Sequence, residues 1–307
     1  MEMKIIRAGM HTTVQDLGRP GHRAAGVPLS GAMDAFALRV ANLLVGNPEN
    51  AAALEFTLVG PELEFAADTV VALGGVEWEG VPSWTPVRVR AGERVRLGVS
   101  RRGARGYLAV AGGIDVPPVL GSRSTCLRGG FGGHHGRTLR DGDVLPVAAV
   151  ARSMGNHWRM DARILPAYSD RPTVRVVRGA QGGEFGGALF ETGFKVSAQS
   201  DRMGLRLVGA KLVRASNEDL VSSAVAPGTI QVPPDGQPIV LMADAQTIGG
   251  YPQAAHVISA DLPLMAQLRP GDTVKFAEVT LAGAQRLALA GERTIALLRE
   301  GLAQKFR

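Results

Sequence analysis

Two regions of the sequence each bring an acid, an arginine and a glycine within a few residues of one another. The first is Thr13-Val14-Gln15-Asp16-Leu17-Gly18-Arg19-Pro20-Gly21, followed by Val27-Pro28-Leu29-Ser30-Gly31-Ala32-Met33-Asp34. The second is Ser200-Asp201-Arg202-Met203-Gly204, followed by Gly228-Thr229-Ile230-Gln231-Val232-Pro233 and Asp244-Ala245-Gln246-Thr247-Ile248-Gly249-Gly250-Tyr251-Pro252. A guanidinium is a forked cation that grips a carboxylate or phosphate through two bonds. A nearby carboxylate can move a proton, and glycine lets backbone N–H groups approach a substrate. Together they fit the binding of a small polar molecule and a proton transfer on it. The competing reading is that each Asp braces its own turn through the neighbouring Arg.

Other chemistries lack their residues. No Gly-Lys pair exists to build a phosphate-binding P-loop, and in Gly129-Gly130-Phe131-Gly132-Gly133-His134-His135-Gly136 a histidine stands where a dinucleotide fingerprint needs glycine. No Gly-x-Ser-x-Gly elbow occurs. Cys126, the single cysteine, reads as a small buried hydrophobe although Arg123 and Arg128 flank it. His134 and His135 are adjacent, so an extended strand would point them to opposite faces and deny them a shared metal; no metal site is expected. The net charge is +6, but only five of the 34 basic residues are lysine, the charges are scattered, and aromatics make up 5%. Nucleic-acid binding needs clustered charge with stacking rings, and is not expected.

The elements that must position these residues are mostly strands. Short alternating runs bounded by Gly, Pro or Asp occur at Met3–Arg7, Thr69–Leu73, Val87–Leu97, Gly106–Val110, Thr173–Arg178, Gly193–Ala198, Pro238–Met242 and Thr273–Phe276. Asp34 caps a predicted helix with Phe36, Val40, Leu43 and Leu44 on one face, and Gly46 ends it. Leu281, Ala284, Leu287, Ala288, Ile295, Leu298 and Leu302 follow a helical period at the other end of the chain, with Gly291 placed to break it into two helices. A length of 307 residues fits two domains. Weak echoes, Leu139–Val144 with Leu268–Val274 and Ile5–Gly9 with Val176–Ala180, point to divergent copies. The boundary falls in the aperiodic stretch Ala148–Pro172, giving an N-terminal domain over 1–150, a linker over 151–172 and a C-terminal domain over 173–307. No signal peptide or membrane span is expected, and the lone cysteine fits a reducing cytoplasm.

Read in order, Gln15-Asp16-Leu17-Gly18-Arg19-Pro20-Gly21, Ser30-Gly31-Ala32-Met33-Asp34, Ala41-Asn42-Leu43-Leu44-Val45-Gly46-Asn47 and Leu54-Glu55 closely resemble the allophanate hydrolase subunit 2 family. So do Ser200–Gly204, Gly228–Pro233, Gly236-Gln237-Pro238, Gln246–Pro252 and Gln267–Asp272 in the second half. The family includes the C subunit of bacterial ATP-dependent 5-oxoprolinase and the carboxyltransferase domain of urea carboxylase. The resemblance implies a mainly β fold of two tandem cyclophilin-like β-barrels with a few short helices and a C-terminal helix. It implies the role of a 5-oxoprolinase C subunit, opening a five-membered lactam to glutamate with ATP and Mg at the level of a complex. The partners would be a subunit 1 homologue, equivalent to the B subunit of that enzyme, and a barrel-like A subunit. The alternatives are an allophanate hydrolase or biotin-dependent urea-type carboxyltransferase subunit, for which this chain has no Ala-Met-Lys-Met attachment site, and a regulatory protein engaging a subunit 1 homologue without catalysis. In the lactam scheme Arg19 and Arg202 hold a carboxylate or phosphate, with Ser30 and Ser200 beside them. Asp16, Asp34, Glu55 or Asp201 acts as base. Gln231, Gln246 and Tyr251 orient the carbonyl or stabilise its developing charge.

Overall fold

The computed structural model describes residues 1–149, 160–216 and 218–305. The chain divides into two compact units: the first comprises Met1–Arg19, Ser30–Pro166 and Arg293–Arg307, the second Pro20–Leu29 and Ala167–Glu292. The linker expected over 151–172 lies outside the described residues as far as residue 159.

In the first unit, β1 (Glu2–Arg7), β2 (Thr13–Gln15), α1 (Ala35–Leu44), β3 (Ala53–Thr57), β4 (Glu62–Phe65), β5 (Thr69–Gly75), β6 (Pro86–Val89), β7 (Arg94–Arg96), β8 (Arg105–Val110) and β9 (Val144–Pro146) follow in order. They form a four-stranded sheet, β7-β4-β1-β9, and a five-stranded sheet, β2-β3-β8-β5-β6. In β1, Met3 and Ile5 alternate inward while Lys4 and Arg7 stay exposed, as a half-buried strand requires. The expected strand over Val87–Leu97 is instead two: the chain turns through Gly92, at φ +73°, and β6 and β7 join different sheets. Helix α1 begins where Asp34 accepts the Ala37 N–H at 2.9 Å, and it packs on β5 and β8. Its approach is close enough that a Cβ on Gly74 would lie 2.4 Å from the Ala37 carbonyl.

The second unit contains β10 (Thr173–Arg178), α2 (Ala188–Glu191), β11 (Phe194–Val196), β12 (Gly204–Val208), β13 (Ser223–Ala224), β14 (Thr229–Gln231), β15 (Ile239–Leu241), β16 (Ile248–Gly249), β17 (Gln253–Val257), α3 (Leu262–Ala266) and β18 (Thr273–Glu278). Seven of its strands close a barrel in the order β10-β17-β14-β15-β12-β11-β18, filled by Val174, Val176, Phe194, Leu205, Ile230, Val240, Val274 and Phe276. Strands β13 and β16 form a separate two-stranded ribbon. The echoed turns share one geometry: Asp143 N–H bonds Arg140 O and its carboxylate takes the Arg140 N–H, and Asp272 does the same with Arg269. The strands that follow differ, since β9 runs antiparallel to β1 and β18 parallel to β10.

The final helix, α4 (Leu281–Lys305), is continuous through Gly291, which corrects the expected break. One glycine in an exposed helix costs about 1 kcal/mol, too little to interrupt 25 residues of intrahelical bonding. Leu281, expected on the buried face, is exposed, whereas Ile295 and Leu302 are buried. No described helix is long and apolar enough to cross a membrane.

Candidate functional site

In the first unit the Asp16 carboxylate is filled with donors. Its Oδ1 takes the Gly18 N–H at 2.8 Å and the hydroxyls of Ser122 and Ser124, and its Oδ2 takes the Arg123 N–H at 2.6 Å. The Asp16 carbonyl accepts the Ala32 N–H at 2.9 Å, which ties the Asp16 turn to the Ser30–Asp34 segment. Arg19 is fully buried; its Nη2 donates to the Ser124 carbonyl and its guanidinium lies 5.0 Å from the centre of the Phe131 ring. Glycine at 132 makes this possible, because a Cβ there would sit 3.0 Å from that same Nη2 and closer still to the Ser124 carbonyl. Ser30 is buried at φ +53°, a strained conformation for a non-glycine residue, and its hydroxyl has no hydrogen-bond partner among the described residues.

Glu55 and Asp34 meet through Tyr107. The phenol donates to Glu55 Oε2 at 2.8 Å and accepts the Asp34 N–H at 2.8 Å, while Met33 N–H donates to the same Glu55 oxygen at 2.9 Å. Burial first, and then the charges of Glu55 and Asp34, push the Tyr107 hydroxyl well above its ordinary pKa, so it stays a proton donor. This array fixes the entry into α1.

In the second unit Arg202 grips an acid as expected, but that acid is Asp244: Nε donates to Oδ2 at 2.8 Å and Nη2 to Oδ1 at 3.2 Å, with both side chains buried. Asp201 is exposed and closes its own turn, its Oδ1 accepting the N–H groups of Met203 and Gly204 at 2.8 and 3.1 Å. Ser200 pairs with the backbone of Arg206. The amides form a directed array in which Gln246 Nε2 donates to Gln231 Oε1 at 3.4 Å and Gln231 Nε2 to the Tyr251 carbonyl at 3.4 Å. Behind it, Gln253 Nε2 donates to Ser223 Oγ at 2.9 Å, and Thr229 Oγ1 lies 3.2 Å from His256 Nδ1. Burial lowers the His256 pKa below its ordinary value.

The adjacent histidines occupy turns instead of an extended strand, so their rings come together edge to face, 4.3 Å apart. His134 lies 3.5 Å from Asp143, which Arg137 grips with two bonds; the guanidinium holds the Asp143 carboxyl far below the usual carboxylate range. Among the described residues no three His, Cys, Asp or Glu side chains converge as a metal site would need.

The structure thus groups Asp16 and Arg19 around Ser124, Asp34 and Glu55 around Tyr107, and Gln231, Gln246 and Tyr251 around one amide array, with Asp201, Arg202 and Ser200 engaged separately. Sequence reasoning missed Tyr107, Ser122 and Ser124 as partners. A tyrosine inside a buried strand was the available signal for the first, since a buried phenol needs a partner. The two serines carry none.

Comparison with known proteins accords with this architecture. Residues 25–278 match the family model described as carboxyltransferase domain, subdomain A and B. The chain is 46% identical over 289 residues to the C subunit of the 5-oxoprolinase of Escherichia coli, covering 91% of this chain and 92% of that one. It is 39% identical to the protein of the same name from Haemophilus influenzae, covering 94% of each. Among solved structures, the K. lactis urea amidolyase superposes with a TM-score of 0.91 and 32% identity over 97% of this chain, which spans only 20% of that larger protein. Closed barrel, strand-rich first unit and the family match over residues 25–278 agree, and the chain belongs to the carboxyltransferase domain, subdomain A and B, family.

Proposed function

We propose that this chain is the C subunit of a 5-oxoprolinase and, with partner proteins, opens 5-oxoproline to glutamate in an ATP-dependent hydrolysis. The observation that carries this reading is coverage: two proteins of that name match over more than nine-tenths of both lengths, whereas the chain corresponds to a fifth of the urea amidolyase. A biotin-dependent carboxylation would also need a carrier, and the sequence holds no Ala-Met-Lys-Met site.

The geometry supports a division of labour among the candidate residues. Asp16, Asp34 and Glu55 in one unit, and Arg202 in the other, hold loops in place through charged groups bonded inside the protein, and buried Arg19 is anchored by Nη2 on the Ser124 carbonyl. Asp201 is exposed with its Oδ1 oriented by two backbone N–H groups, which suits a general base. Gln246, oriented by Gln231 and through it by the Tyr251 carbonyl, keeps one N–H for a substrate carbonyl. On this reading ATP with Mg acts at the level of the assembled complex.

The test is to purify the chain with co-expressed subunit 1 and barrel-type partners and follow glutamate release from 5-oxoproline. Release that requires ATP is the expected outcome. No release, with ATP-dependent carboxylation of urea once a biotin carrier is added, would replace this reading by the carboxyltransferase one.

A further inference from the structure

Resting on the lactam reading above, we propose that the Gln246 carboxamide is a specificity element that reads the cis amide edge of the substrate and thereby rejects trans peptide amides. Three observations carry it. First, the array has a direction. Gln246 Nε2 donates one N–H to Gln231 Oε1, and Gln231, almost fully buried, donates in turn to the Tyr251 carbonyl. Each donation polarises the next amide in the same sense, so the outer member is oriented by the inner ones.

Second, Gln246 is only half-buried, and among the described residues its Oε1 and its second N–H have no protein partner. With the N–H anti to Oε1 given to Gln231, the carboxamide keeps its syn N–H and its oxygen as a donor and an acceptor side by side. In a five-membered lactam the ring forces the amide cis, so that N–H and C=O lie on one edge and can pair with such a carboxamide through two antiparallel hydrogen bonds. A secondary amide in a peptide is trans and presents the two groups on opposite sides, so only one bond can form. Urea, whose N–H and C=O also share an edge, passes the same filter. That matches the two substrate classes named among the chain's relatives while excluding peptides.

Third, the array is set by close packing of the ribbon. A Cβ on Gly249 of β16 would lie 2.6 Å from Gln231 Nε2, so a side chain there would push that amide out of the array. Gly249 and Gln231 are positioning residues for Gln246, while Gln246 itself meets the ligand.

The experiment uses the full chain and its assembled complex with small probes: 2-pyrrolidone, urea, N-methyl-2-pyrrolidone, which lacks the N–H, and N-methylacetamide, which is trans. Titration followed by NMR is expected to show 2-pyrrolidone and urea binding about tenfold more tightly than the last two, about 1.4 kcal/mol. Gln246→Leu should abolish that ratio. Gly249→Ala should reduce it while leaving the unfolding midpoint of the second unit close to wild type. In the complex, Gln246→Leu should raise the KM for 5-oxoproline about tenfold with a smaller change in kcat. Equal binding of all four probes, or a Gln246→Leu complex with unchanged KM, overturns the inference even if glutamate is released. Retained selectivity for cis amides in a complex that releases no glutamate supports the inference and sinks the lactam reading instead.

Discussion

The ion pair of Arg202 with Asp244 lies inside the protein, and its energetics separate the two readings of the motif. Removing one member of a buried pair strands the other charge in a poorly solvated place, at a cost of about 3–5 kcal/mol. Arg202→Ala should therefore lower the unfolding free energy measured by denaturant titration by that order. Arg202→Lys, which keeps the charge but loses the fork, should fall between. Were Arg202 a substrate clamp with no internal partner, the change would stay within about 0.5 kcal/mol. The motif disclosed the arginine and, in the run beginning at Asp244, the acid as well. It did not disclose that they pair, because Asp201 is nearer in sequence and only the fold brings residue 244 closer. His256 gives a prediction in pH. Its folded pKa is lowered by burial, so the unfolded chain takes up the proton first. The contribution is complete above the unfolded value of about 6.5 and is lost as pH falls through it. Since His134 shifts the same way, the measurement is a difference: denaturation of the wild type and of His256→Gln at pH 5.5 and 7.5. The wild type should lose more stability on acidification than the variant, and an equal or smaller loss would contradict the assignment.

Helix α4 makes a prediction for elements. Gly291 is exposed and a methyl group there would meet no atom within 4 Å, so Gly291→Ala should stabilise the protein, by up to about 1 kcal/mol, in a thermal melt. A destabilised variant would show that the helix is not continuous there in solution. Legibility at this scale followed burial pattern. Strand β1 was visible because its faces differ, Met3 and Ile5 inward and Lys4 and Arg7 outward. Strands β2 and β14 were not among the expected strands because Thr13, Gln15, Thr229 and Gln231 are polar yet fully buried, their groups largely met by other protein atoms, and no alternation survives. The cap of α1 could be named in advance because Asp34 stands directly before an apolar stripe and its carboxylate does what that position requires.

At the scale of the whole molecule, ordered motifs carried the family and the mainly β architecture, and the hydrophobic pattern agreed with them. The division of roles within the motifs lay beyond the sequence, because a residue type such as Arg or Asp is equally suited to gripping a ligand and to bracing a loop. On the proposed 5-oxoprolinase reading, lactam opening by the assembled complex depends on this chain. The most direct measurement is an omission assay in the reconstituted complex, following glutamate from 5-oxoproline and ATP cleavage together, with and without this chain and with avidin as a control. Glutamate and coupled ATP cleavage that vanish when the chain is left out, and that avidin does not affect, are the expected result. Turnover that persists without the chain, or that avidin blocks, would contradict it.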